Sequence, residues 1–166
     1  PKYRTFTQTF PSFKRIAQAP LPAVIREWQG LGYNRRALFL HQSAQQIRSR
    51  FNGRLPKDPE LLLRLPGIGP ATAASICAFA FNRPTLFIET NIRSVFIHHF
   101  FTDRGTVSDA EILPLLKATL DRNDPRAWYS ALMDYGVYLK SIHPNPSRKS
   151  THYTKQSPFH GSKRDR

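Results

Sequence analysis

The sequence predicts an all-α fold, and three observations carry that prediction. Period-two alternation of apolar and polar residues, the mark of a half-buried strand, is absent. Helix start and stop signals recur along the chain. The segment Leu65-Pro66-Gly67-Ile68-Gly69-Pro70-Ala71-Thr72-Ala73 joins two apolar helical stretches through a tight turn with two glycines.

Taken in order, Ser12 begins a short helix that ends near Ala19-Pro20. Pro22 to Gln29 forms another, closed by Gly30. Asn34 caps a long helix to about Asn52-Gly53. Its apolar face is Leu40, Ala44, Ile47 and Phe51, with Arg35, Arg36, Arg48 and Arg50 largely off that stripe. Asp58-Pro59 is a cap followed by a first-turn proline, and Leu61-Leu62-Leu63 follow. Beyond the two-glycine turn, Ala73, Ile76, Cys77 and Ala80 mark a second helix, broken at Asn82-Arg83-Pro84. Another helix runs from Glu89-Thr90 to about Phe101. Ser108-Asp109-Ala110-Glu111 is a capping box for a helix to about Arg122. Asp124-Pro125 opens the last helix, with Trp128, Leu132, Met133, Val137 and Leu139 as its apolar residues.

The two-glycine turn carries chemistry. Glycine has no Cβ, so a foreign group can approach its backbone closely. The helix that follows at once turns its unused N–H groups, and the positive end of its dipole, out of the turn. Pro70 donates nothing, so the expected phosphate donors are the N–H groups of Ile68, Gly69 and Ala71. A plain helix-joining turn is the alternative.

Composition agrees with a polyanionic partner. Lys and Arg number 25 against 11 Asp and Glu, a formal charge of +14 over 166 residues. No basic amphipathic helix, lipidation motif or secretory signal is found, and the longest apolar run, Ile76 to Phe81, is six residues, so a membrane is not the expected partner. A single cysteine excludes an intrachain disulfide and a cysteine-rich metal cluster. The expected compartment is the cytoplasm, with nucleoid association. Composition shifts at His143-Pro144-Asn145-Pro146. From there on, six Lys or Arg face one Asp, and only Tyr153 and Phe159 are large and apolar. Such a segment is either a mobile arm or a strap along the surface. Its aromatics and histidines leave a solvated tail and a DNA contact through residues such as Arg148 and Lys149 equally open.

Leu-Pro-Gly-Ile-Gly with the following Thr-Ala resembles the helix-hairpin-helix of the DNA glycosylase superfamily that contains endonuclease III and the adenine glycosylases. Three further segments resemble the same family: Gly30-Leu31-Gly32-Tyr33 with Arg36, Ala37 and Leu40-His41; Pro84 to Ile92; and Ala131-Leu132-Met133-Asp134-Tyr135-Gly136. The matches cover roughly residues 1 to 140, with adenine glycosylases most alike. The resemblance implies a lobe over 1–87 with the hairpin at about 58–82, a second lobe over 88–142 and a basic tail over 143–166. It implies a substrate class too: duplex DNA bound by a monomer, with hydrolysis of the N-glycosidic bond of a mispaired or damaged base, adenine first. A mismatch thymine or uracil glycosylase, and a non-catalytic DNA-binding module of the same fold, are the alternatives.

The same resemblance assigns residues. Gly67, Ile68, Gly69, Ala71 and Thr72 contact a DNA strand, with Arg36 nearby. Tyr33 resembles a wedge that fills the gap left by an extruded nucleotide, or is an ordinary rim tyrosine. Glu89 corresponds to the family's carboxylate, which faces the positive charge developing on the sugar, or is a helix cap. The family usually has Asp there, and Glu reaches about 1.5 Å further. Asn91 corresponds to the polar neighbour that orients water or carboxylate. Ala71 stands where bifunctional relatives place a nucleophilic lysine, so monofunctional chemistry is expected. Relatives often carry a four-cysteine iron–sulfur loop; here only Cys77 is present, and it reads as a buried hydrophobe. No metal cluster is expected, His143, His152 and His160 being too widely spaced for zinc. The resemblance allows a monovalent cation held by the hairpin's carbonyls. Family members also carry an upstream glutamate that protonates the leaving base, in a Leu-Gln-Gln-Thr context, and a later domain that recognises oxidised guanine. Neither is matched, so the chain is expected to be an N-terminally incomplete piece of a longer protein.

Overall fold

The computed structural model describes residues 2–155, which divide into two compact units at Phe81 and Asn82. Every regular element among them is helical; the one β-type contact is an isolated parallel bridge between Val107 and Ser150. No helix among the described residues is long and apolar enough to cross a membrane.

The first unit contains α1 (Lys2–Thr9), α2 (Phe13–Gln18), α3 (Leu21–Trp28), α4 (Asn34–Arg50), α5 (Pro59–Leu63) and α6 (Pro70–Phe81). Local chemistry sets several starts: the side chain of Ser12 accepts from Arg15 N–H, and that of Asp58 from Glu60 N–H. The start of α4 differs from expectation. Asn34 is already helical, and the capping position falls on Tyr33, which makes no side-chain cap bond. One apolar cluster gathers Phe6, Phe10, Ile16, Val24 and Ala44, with Phe6 edge-on to Trp28 at 5.6 Å. A second gathers Ile47, Leu62, Leu65, Ala73 and Cys77, so the cysteine packs as a small hydrophobe.

The stripe read from Leu40 to Phe51 packs inward, with Ala44 and Ile47 buried and Leu40 and Phe51 half-buried against the two clusters, and the buried face adds Ala37, His41 and Ser43. The two polar members are satisfied by carbonyls. His41 Nε2 lies 2.9 Å from Ala19 O, and Ser43 Oγ donates to Pro66 O at 3.0 Å. The second of these bonds fixes the two-glycine turn to α4.

The second unit contains α7 (Thr90–Phe100), α8 (Asp109–Thr119), α9 (Pro125–Ile142) and a 3₁₀ turn at Pro146–Lys149. Residues 82–87, placed with the first lobe on sequence, lie in this unit. Asn82 Oδ1 accepts from Arg126 N–H, and Phe87 stacks on the buried Tyr129 at 4.1 Å. Burial raises the Tyr129 phenol above its ordinary value, and its hydroxyl donates to Thr85 O at 2.8 Å. Helix α9 buries Tyr129, Gly136 and Leu139; of the apolar residues read on it from sequence, Trp128, Leu132 and Met133 are half-buried and Val137 faces solvent.

The start of the basic tail is a strap. Pro146, Ser147 and Ser150 are buried; Val107 N–H donates to Lys149 O at 2.8 Å, and Thr151 N–H to Val107 O at 2.9 Å. Asn145 Oδ1 accepts from Ser147 N–H and Oγ, which closes the 3₁₀ turn. Phe159, His160 and the last basic residues lie outside the described residues.

Candidate nucleic-acid interface and carboxylate site

The hairpin is α5, the turn 64–69 and α6. Leu62 and Leu65 are buried, whereas Gly67, Gly69, Pro70, Ala71 and Thr72 are exposed. The expected donor set changes at one place. Ile68 N–H is taken by Leu65 O at 3.2 Å, and the Ile68 side chain packs on the second apolar cluster. The helical ladder of α6 begins with Ala73 N–H to Gly69 O. The N–H groups of Gly69, Ala71 and Thr72 precede that bond and form the outward-facing N-terminus of a twelve-residue helix.

The two glycines differ. Gly67 has φ +75°, and a Cβ there would sit 2.5 Å from Cδ2 of Phe39. A Cβ on Gly69 would meet nothing within 4 Å. Gly67 is therefore required by the packing of α4, and Gly69 supplies the open approach. Sequence reasoning missed Phe39, because nothing local links it to a turn 28 residues away.

Residues 30–33 form a loop of unusual backbone. Gly30 and Gly32 have φ +88° and +79°, and Tyr33 has φ +38° without being glycine. Trp28 Nε1–H donates to Gly32 O at 2.6 Å and holds the loop. Tyr33 is 57% exposed, so its ring is displayed rather than packed as a core residue. The Arg36 guanidinium lies 5.9 Å from the Trp28 ring. Arg36 also lines one cavity of about 330 Å³ together with Pro66, Gly67, Ile68 and Thr72.

In the second unit, Glu89 is the cap of α7. Its Oε1 accepts from Asn91 N–H at 2.7 Å and Ile92 N–H at 3.0 Å, and Asn91 Nδ2 donates to Oε2 at 3.3 Å. The capping reading and the chemical one are compatible within one carboxylate: Oε1 caps the helix, and Oε2 keeps capacity toward a further group. Lys140, which sequence reasoning missed, donates from Nζ to Asn91 Oδ1. Arg93 is forked onto Asp109 at 2.6 and 2.7 Å, and that hydrogen-bonded carboxylate raises the guanidinium above its ordinary value.

Of the tail residues, Arg148 is exposed. Lys149 is half-buried and donates to Thr102 O at 2.7 Å, so it braces the strap. Among the described residues, no group of three or more His, Cys, Asp or Glu is placed to hold a metal ion. The structure brings Arg36, Gly67, Ile68 and Thr72 to one cavity and Glu89, Asn91 and Lys140 to one helix start.

Comparison with known proteins adds to this geometry. The chain is 30% identical over 143 residues to an adenine DNA glycosylase of Buchnera aphidicola subsp. Baizongia pistaciae, covering 84% of this chain and 40% of the relative. It is 31% identical over 138 residues to the adenine DNA glycosylase of Mycolicibacterium smegmatis, covering 82% and 47%. It thus spans less than half the length of these relatives. Among solved structures, a thermostable thymine-DNA glycosylase matches with a TM-score of 0.69 and 20% identity, over 89% of this chain and 70% of that one. A trapped endonuclease III–DNA covalent intermediate matches with a TM-score of 0.65 and 20% identity, over 95% and 68%. These two likenesses concern the fold. The HhH-GPD superfamily of base excision DNA repair proteins matches residues 1–115, a span that contains the hairpin, the Tyr33 loop and Glu89; the chain belongs to that superfamily.

Proposed function

We propose that this chain forms the helix-hairpin-helix part of a monofunctional DNA glycosylase, which binds duplex DNA as a monomer at the nucleoid and hydrolyses the N-glycosidic bond of a mispaired base, adenine first. The observation that carries this reading is Glu89, a carboxylate fastened by two backbone N–H groups at the start of α7 with Asn91 on its second oxygen. The relatives of similar sequence are adenine glycosylases, which supports adenine as first choice.

In this mechanism the N–H groups of Gly69, Ala71 and Thr72 grip one strand by its phosphates, which positions without reading sequence. Tyr33 enters the stack as the target nucleotide leaves it. Bond cleavage builds positive charge on the sugar, and the fixed negative charge of Glu89 lowers the energy of that state. With Ala71 in place of a lysine, no Schiff base forms at the hairpin, and water completes the reaction. Proton delivery to the departing base is assigned to no residue of this chain.

The proposal includes no iron–sulfur cluster, because the chain's one cysteine, Cys77, is buried against the carbonyl of Lys57. A monovalent cation at the hairpin would be held by turn carbonyls. Leu65 O, Pro66 O and Gly69 O each accept one hydrogen bond and keep a second lone pair for such an ion.

The test uses the full open reading frame on duplexes carrying different mispairs. Wild type is expected to excise adenine, and Glu89→Gln to lose about 10²–10³-fold in single-turnover rate while binding the duplex normally. Equal rates would reduce Glu89 to a cap. Tight duplex binding with no excision of any base would favour the DNA-binding module.

A further inference from the structure

Lysine only donates hydrogen bonds and an ionised carboxylate only accepts them, whereas an amide does both. Asn91 sits between one of each. Lys140 Nζ donates to its Oδ1, and its Nδ2 donates to Glu89 Oε2 at 3.3 Å. The amide has two orientations, related by a half-turn about its last side-chain torsion. In the other orientation, Oδ1 would face a carboxylate and Nδ2 an ammonium, and both contacts would be repulsive. The cation therefore selects the orientation that serves Glu89.

The reach of Lys140 has its own cause. It lies four residues after Gly136, so the two share a face of α9. A Cβ on Gly136 would fall 2.4 Å from Asn91 O. The missing side chain lets α9 come down onto the first turn of α7, and the next turn then carries an ammonium to the Asn91 amide. Arg93, a cation that feels the charge of Glu89, is itself forked onto Asp109. Lys140 is half-buried, and a solvated surface role would leave it extended into water.

We infer that Lys140 is a positioning residue: through Asn91 it holds the Glu89 carboxylate in the arrangement that faces the sugar. This rests on the glycosylase reading above. It adds to that reading a residue outside the region the superfamily matches, which ends at residue 115.

The experiment combines nuclear magnetic resonance of the Asn91 side-chain amide with single-turnover excision by the full open reading frame. Lys140→Met keeps the aliphatic stem and removes the donor; Lys140→Arg keeps a donor. In Lys140→Met the Asn91 NH₂ signals are expected to shift and exchange faster with water. The rate falls about ten- to a hundredfold, with duplex affinity within about twofold. Lys140→Arg restores both readouts in large part. Unchanged amide signals in a folded Lys140→Met protein overturn the inference, and so does a shifted amide with an unchanged rate. A wild-type protein that excises nothing overturns the proposed function instead, and the amide signals still decide whether Lys140 orients Asn91. If Lys140→Met does not fold, the Lys140→Arg spectrum and rate decide: wild-type-like values in both uphold the inference, and a displaced amide with a full rate overturns it.

Discussion

The Cβ that Gly67 lacks would lie 2.5 Å from Cδ2 of Phe39, inside the ring's own van der Waals envelope. The turn and α4 are consequently one packed unit, and Gly67 answers to Phe39 before it answers to any ligand. Gly69, two residues on, answers to open space.

That difference separates folding from binding. Gly67→Ala should cost about 1–3 kcal/mol of stability, from the left-handed φ and the collision with Phe39. Gly69→Val should leave the fold intact and weaken duplex binding by obstructing the phosphate. Thermal denaturation and a DNA titration on both variants check this. Unaltered affinity in a folded Gly69→Val protein would remove the hairpin from the interface.

If the chain binds duplex DNA as proposed, its charge of +14 should make that affinity fall steeply with salt. Arg148→Ala should flatten the plot of log K against log salt by roughly 0.9 if Arg148 meets a phosphate. Lys149→Ala should differ in kind, because its ammonium serves Thr102 O; its main effect is a lower melting temperature. A flat plot for wild type would sink the electrostatic reading.

Borohydride should trap no covalent complex with abasic or substrate DNA through residue 71, which is alanine. Nicking of the product strand should require added alkali. Gel analysis with and without alkali reads both outcomes. A trapped complex that survives replacement of the tail lysines would show a nucleophile elsewhere in the chain.

Glu111 reaches back to Ser108 N–H at 2.9 Å and Ser108 Oγ at 2.8 Å, with Arg104 on its other oxygen. The Ser108 backbone bond, then the hydroxyl, hold its pKa below the ordinary carboxylate value of 4.5. The contribution is thus complete above that value and declines as pH falls through the lower, folded-state one. The gap in melting temperature between wild type and Glu111→Ala should be widest at neutral pH and close progressively below about 4.5. A gap that stays constant into strong acid would mean that charge is not its source.

The legible parts of this protein were the local ones. Ser12, Asp58, Asp124 and the Ser108–Glu111 pair declare helix starts within three residues, and all four accept the bonds their spacing promised. Long-range satisfaction was not legible. His41 and Ser43 look like solvent-facing polar residues until carbonyls 22 and 23 residues away are placed against them. On α9 the apolar residues read from sequence include the buried Leu139 and the exposed Val137, and they do not mark the buried face by themselves. The buried surface is set by Gly136, which matters for what it lacks, and by Tyr129, whose hydroxyl finds a carbonyl 44 residues back. The site divides in the same way. Glu89 and Asn91 could be singled out as neighbours near a helix start, while Lys140, 49 residues from Asn91, could not.

The bridge between Val107 and Ser150 sets where the second unit can be cut. Val107 is wholly buried, and both its backbone groups are spent on the strap, one on Lys149 and one on Thr151. Removing the chain after Ile142 would take away the partners of both Val107 backbone groups and strip the strap from beside a buried residue. It would also unfasten the ends of a ring of chain that encloses α8 and α9. The tail's first dozen residues are thus a clasp rather than an appendage, and the shortest self-sufficient version of this unit extends past Thr151.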